Sequence, residues 1–220
     1  MMQPEDRVAF AISATAELVA LVTPAALAQR ERSRADDLAA ALADSVPLAG
    51  NAPGLFLLAY AALARHLAAE GDPASLTPSL EAMVIDADIA DAMTAAAASI
   101  LAGALCVLML RIYYAAQPDA AAARDSIKAV AETILEKLGD TLGFKAMNAL
   151  DAATGETTLA LSRIAASRAP LVIVETGVSL PSTLLAWELY EDPERAGELV
   201  ERNRIGTPLL MPIGFEALAR

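Results

Sequence analysis

The chain of 220 residues carries 28 acidic and 16 basic side chains, a net charge of −12, so it lacks the phosphate-neutralising surface of an ordinary nucleic-acid binder. Hydrophobic residues make up 56%, ample for one or two domains, yet aromatic residues are only 4%. About a quarter of the chain is alanine, which favours closely approaching helices, and its single cysteine, Cys106, excludes an intrachain disulfide or a cysteine metal cage.

Apolar spacing predicts a helix over Glu5–Val22, with Val8, Ile12, Leu18 and Val19 as its stripe and Pro24 as its end. The start of the chain, Met1 to Asp6, lacks the basic residues that open a secretory signal. A second helix is expected over Ala25–Ala43. Its mixed-sign run from Arg30 to Asp37 reads as a solvated face. After a loop at Pro47–Pro53, a third helix runs to about Glu70 and carries His66, whose expected partner is Glu70 four residues on. No second histidine or cysteine cluster accompanies His66, so a metal or catalytic role for it has no support.

Gly71 to Pro78 reads as a loop, and Ser79 to about Ala116 as one long apolar helix. Ala92 to Leu110 contains no charge and is just long enough for a bilayer. Its first half is mostly alanine, acidic residues precede it and no basic loop sets an orientation, so a buried central helix is preferred to a membrane span. Cys106, among Leu105, Val107 and Leu108, fits that core as a small hydrophobe. Asp119–Leu138 is a further helix, with Ala123, Ile127, Val130, Ile134 and Leu138 inside, broken by Gly139 and Gly143. Ala146–Ser167 follows, with Thr154-Gly155 a point of weakness.

Pro170 opens a different pattern. Leu171-Val172-Ile173-Val174 reads as a short strand. Ser179 is placed to cap a helix over Leu180–Tyr190, with Pro181 tolerated in its first turn. Asp192-Pro193-Glu194 states a second helix start, followed by an inward stripe of Ala196, Leu199, Val200 and Asn203 and a stop at Gly206. Pro208 to Leu218 returns as an apolar, partly extended segment broken at Gly214. The expected architecture is therefore mainly α: an Ala-rich helical bundle over residues 1–169 and a βααβ module over 170–220.

That order, with Asn203 near the end of its second helix, resembles a LysM-like module. More narrowly, residues 166–218 resemble the C-terminal part of the Mu-like phage DNA-circularisation family. The resemblance rests on Pro181, Leu189-Tyr190, Asp192, Arg195-Ala196, Glu198-Leu199-Val200, Arg202-Asn203-Arg204-Ile205, Pro208 and Pro212 with Gly214. It extends in style over the preceding helices, from about Ala116. The family's Pro-Gly-Gly turn is here Pro212-Ile213-Gly214, and its N-terminal β-rich domain has no counterpart, so a shortened or split relative is expected.

The resemblance implies a structural part of a contractile phage tail, in the baseplate or hub. Such a part would be assembled in the bacterial cytoplasm, carried in the virion, and act as a homo-oligomer through contacts with other tail proteins. Its partner-binding residues would be Trp187, Tyr190, Arg202, Asn203 and Arg204. The alternative is a peptidoglycan-binding LysM module whose groove lies between Thr176–Ser179 and Ile205–Leu209. Trp187 and Tyr190 offer rings for stacking on sugars, although their place in a helix stripe points to the core for Trp187. A membrane-associated helical protein is a third reading, resting only on Ala92–Leu110. No phosphate-binding glycine loop, dinucleotide fingerprint or nucleophile elbow occurs, and neighbouring carboxylates such as Asp36-Asp37 point apart on a helix. No catalytic, cofactor or metal residue is assigned, and the chain is expected not to be an enzyme.

Overall fold

Proline and aspartate set most of the helix starts. In the computed structural model, which describes residues 2–219, helices α1 (Pro4–Ala20), α3 (Pro53–Glu70) and α4 (Pro73–Ile85) each begin on proline, where the missing N–H costs nothing. Asp72 caps α4 through its bond from Ser75 N at 3.0 Å. Helices α2 (Gln29–Ser45), α5 (Ala92–Arg111), α6 (Gln117–Leu142) and α7 (Phe144–Ser167) complete a mainly helical chain. Strand β1 (Leu171–Glu175), α8 (Ser182–Tyr190), α9 (Ala196–Arg202) and β2 (Gly214–Leu218) follow.

The chain divides into two units. The first comprises residues up to Tyr113 together with Ala123–Leu161; the second comprises Tyr114–Ala122 and the chain from Ser162 onward. In the first unit, α5 packs on α3 and α4, and α2 packs on α3. Leu18, Leu42, Phe56, Leu63, Leu67, Leu80, Leu105 and Leu108 are fully buried there, each contributing about 1.5–3 kcal/mol of burial. Buried alanines at 35, 64, 95 and 102 let the helices approach. Cys106 is buried, and burial pushes its thiol above the usual range while a side-chain hydrogen bond with Thr157 opposes the shift. On α6 the stripe Ile127, Val130, Ile134 and Leu138 is buried.

Several expectations are corrected. The single helix over Ser79–Ala116 is two, α4 and α5, because Asp91 starts a new one. Its Oδ1 accepts from Met93 N (2.9 Å) and Thr94 N (3.1 Å), and Thr94 Oγ1 accepts from Asp91 N (3.0 Å). The expected loop Gly71–Pro78 is mostly α4, with Pro78 inside the helix and Thr77 Oγ1 donating to the Pro73 carbonyl at 2.7 Å. Helix α2 starts at Gln29 rather than Ala25, beyond a left-handed Ala26 (φ 49°). Gly139 does not break α6; the helix continues through it to Leu142, and the Sδ of Met147 sits 2.9 Å from where a Cβ would be. Gly143, at φ 81°, is the break. Helix α7 passes through Thr154-Gly155, whose threonine hydroxyl bonds the Leu150 carbonyl. His66 turns to Glu31, with Nε2 2.9 Å from its backbone oxygen, and not to Glu70.

Helix α5 is the one described helix long and apolar enough to cross a membrane, with a mean hydropathy of 2.2 in its best window. Yet 67% of that window is buried inside the protein.

In the second unit β1 and β2 pair antiparallel, Leu171 opposite Leu218 and Glu175 opposite Gly214. Leu185, Ala186, Ala196, Leu199, Met211, Phe215 and Ala217 form the core between this ribbon and the two helices. Ala116 bridges Ala169, and Gln117 N donates to the Ala169 carbonyl at 3.0 Å, so the start of α6 belongs to this unit. The βααβ order read from the residues is the order observed, with a 3-10 turn at Pro193–Arg195 ahead of α9.

Candidate functional site

Two loops of the second unit lie side by side and carry four exposed apolar side chains. The loop from β1 to α8 and the loop from α9 to β2 are joined by backbone bonds. Thr176 N donates to the Ile213 carbonyl (2.9 Å), Met211 N to the Leu180 carbonyl (3.0 Å) and Ser182 N to the Pro208 carbonyl (2.8 Å). Ser179 Oγ adds a bond to the Met211 carbonyl at 2.6 Å. Ser179 was expected to cap α8; it clamps the loops instead, and Pro181 occupies the cap position without a side-chain bond. Of the run Leu209–Ile213, only Met211 turns into the core. Val178, Leu209, Leu210 and Ile213 are each more than half exposed. Fixed backbone and outward aliphatic side chains make a preformed apolar surface, of the kind that marks interaction sites.

Of the five residues expected to bind a partner, three are brought together. Arg202, Asn203 and Arg204 line a shallow depression of about 450 Å³ with Ile173, Gly214, Phe215 and Glu216. Arg202 is largely buried and pairs with Asp119 at 3.5 Å, a contact internal to the unit. Asn203 is structural. Its Nδ2 donates to the carbonyls of Leu199 (2.8 Å) and Glu216 (2.9 Å), and its Oδ1 accepts from Glu216 N (2.8 Å). The amide thus mimics a neighbouring strand for the outward backbone of Glu216. Replacing Asn203 by alanine is expected to cost about 1–2 kcal/mol, since these bonds are partly solvent-exposed, and chemical denaturation measures it.

Arg204 ends α9, where Gly206 was the expected stop. It sits at φ 52°, with Ile205 N donating to the Val200 carbonyl and Arg204 N to the Glu201 carbonyl, both at 3.1 Å. This is the helix-ending motif that ordinarily takes glycine. Arg204→Gly is expected to stabilise the protein by about 0.5–1 kcal/mol, read as a rise in the melting temperature.

Trp187 and Tyr190 lie outside that depression. Trp187 is 56% exposed, correcting its assignment to the core. Ser182, Leu185, Ala186 and Leu189 share the inward face of α8, and Trp187 falls on the opposite one. Tyr190 is half-buried: its Oη accepts from Leu218 N at 2.9 Å, and the Arg195 guanidinium stands 3.7 Å from its ring centroid. It ties α8 to β2. Leu210 was not singled out from the sequence, and Val178 and Ile213 were named only within a groove range and a turn. The available signal was an apolar run between Pro208 and Gly214, too short for both sides to be buried.

Among the described residues no group of three or more His, Cys, Asp or Glu side chains is placed to hold a metal ion. No known family model matches the chain, and a search of curated proteins finds no match.

Proposed function

We propose that this chain is a structural component of a phage, or phage-derived, contractile tail that works in baseplate or hub assembly through protein–protein contacts, and that it is not an enzyme. Its βααβ unit is read as a LysM-like module turned to docking. The observation that carries the proposal is the clamped loop pair, with Val178, Leu209, Leu210 and Ile213 outward on a fixed backbone. The Arg-Asn-x-Ile segment supports the same reading, with Asn203 holding the end of α9 to β2. Helix α5 is taken as the core of the helical unit, not as a membrane anchor, because two thirds of its apolar window is already covered by protein.

A glycan-binding reading is favoured by one observation, the exposure of Trp187, since an indole face can stack on a sugar ring. The loop pair itself presents aliphatic side chains, which suit a protein surface better than the polar edges of a sugar. The full-length chain, incubated separately with insoluble peptidoglycan and with the tail proteins encoded beside its gene, distinguishes the two. Capture by a tail protein and release from peptidoglycan is the expected result. Light scattering is expected to give more than one copy per particle, as symmetric assembly parts commonly do. A monomer that binds no tail protein would defeat the proposal.

A further inference from the structure

The helical unit holds an open cavity of about 420 Å³ between α1, α3, α4, α5 and the segment joining the last two. Small-molecule sites span roughly 300–1,000 Å³. Its floor is apolar and buried: Ala14, Ala97, Ala98 and Leu101. Three alanines stand where larger side chains would close the space. Its mouth is acidic, with Glu17, Asp86 and Asp88 exposed, and no lysine or arginine lines it. Among the described residues none of these three carboxylates forms an ion pair; Glu17 accepts only from Ser13 Oγ, at 3.0 Å.

Tyr60 supplies the second, independent observation. It lines the cavity at 1% exposure with its ring tilted on Phe56, 5.7 Å between centroids. Its hydroxyl has no hydrogen-bond partner among the described residues. Burial, and then the nearby Glu17 charge, push the phenol up, so it stays neutral and can accept as well as donate a bond. The Tyr60 oxygen is not among the buried atoms left unsatisfied, so it opens onto the cavity, where water or a ligand can bond it. Thr94, the other polar side chain on the floor, is already satisfied within the α5 cap.

We propose that this cavity binds a small organic amine, its apolar body on the alanine floor and its ammonium group between the Tyr60 hydroxyl and the acidic mouth. The carboxylates are not grouped to share a metal ion, which leaves an organic cation as the matching charge. This site is independent of the tail reading, which concerns the other unit.

Three indoles of one shape, titrated calorimetrically into the full-length chain, test it: tryptamine, tryptophol and indole-3-propionate. Tryptamine is expected to bind at one saturable site, tryptophol about tenfold more weakly and the propionate not measurably. Ala98→Leu fills the floor and is expected to abolish binding. Should that variant not fold, Glu17→Lys, on an exposed position, decides the matter by weakening tryptamine at least about tenfold, with thermal melting as the check on folding. Equal binding of tryptamine and tryptophol, no binding of tryptamine, or unchanged affinity in Glu17→Lys would overturn the assignment.

Discussion

Phe215→Ala is expected to unfold the C-terminal unit while the helical unit keeps its structure. Phe215 is the largest side chain in a core otherwise made of Leu185, Ala186, Ala196, Leu199, Met211 and Ala217. It sits opposite Val174 in the ribbon, so its ring carries the contact between sheet and helices. Truncating a buried phenylalanine costs about 3–5 kcal/mol. At ordinary stability per residue, a unit of roughly 70 residues holds only about 3–10 kcal/mol in total. The loss therefore consumes most of its margin, and alanine-rich neighbours cannot collapse to fill the void. Hydrogen exchange is the appropriate measurement. Protection over β1, α8, α9 and β2 should disappear, whereas α5, buried among α3 and α4, should exchange as slowly as before. Unchanged protection in the ribbon would mean that the core described for this unit is not what holds it.

The second large effect concerns association. Leu210→Asp combined with Ile213→Asp is expected to weaken binding to a tail partner at least about 30-fold, the cost of losing an interface hot spot. The same pair should shift folding stability by no more than about 0.5 kcal/mol per site, because both side chains already face solvent. The clamp beneath them consists of backbone and Ser179 bonds that the substitutions leave in place. Binding loss with an unchanged melting temperature separates an interface from a structural defect. If the double variant binds as tightly as the parent chain, the loop pair is not the docking surface.

What could be read from the residues alone was the element order of the C-terminal unit, and least of all which face of a short element is buried. The β-branched run at Leu171 and the break at Gly214 marked both strands, and Asp192-Pro193 marked the turn into α9. Trp187 was misassigned because α8 is little more than two turns long. Within it Leu184, Leu185, Trp187 and Leu189 are all apolar, so spacing cannot choose a face. The choice is made by Met211 and Phe215, which arrive from later in the chain and cover Leu185 and Ala186. Arg204 was invisible as a helix stop because the left-handed position it occupies is ordinarily marked by glycine, and Gly206 stood two residues away as a decoy. Asp91 was hidden in the same manner: its cap lies at the edge of a long apolar pattern, and its reciprocal bonds with Thr94 start α5 after the non-helical segment that follows α4. The cavity below Tyr60 had no sequence signal, since alanines on a helix read as good packing whether or not anything packs against them.

The most direct test of the central claim is hydrogen exchange on the full-length chain before and after it is mixed with the tail proteins encoded beside it. The account predicts a complex in which residues 176–180 and 207–213 gain protection. A complex that protects only the helical unit, or no complex together with firm retention on peptidoglycan, would contradict it.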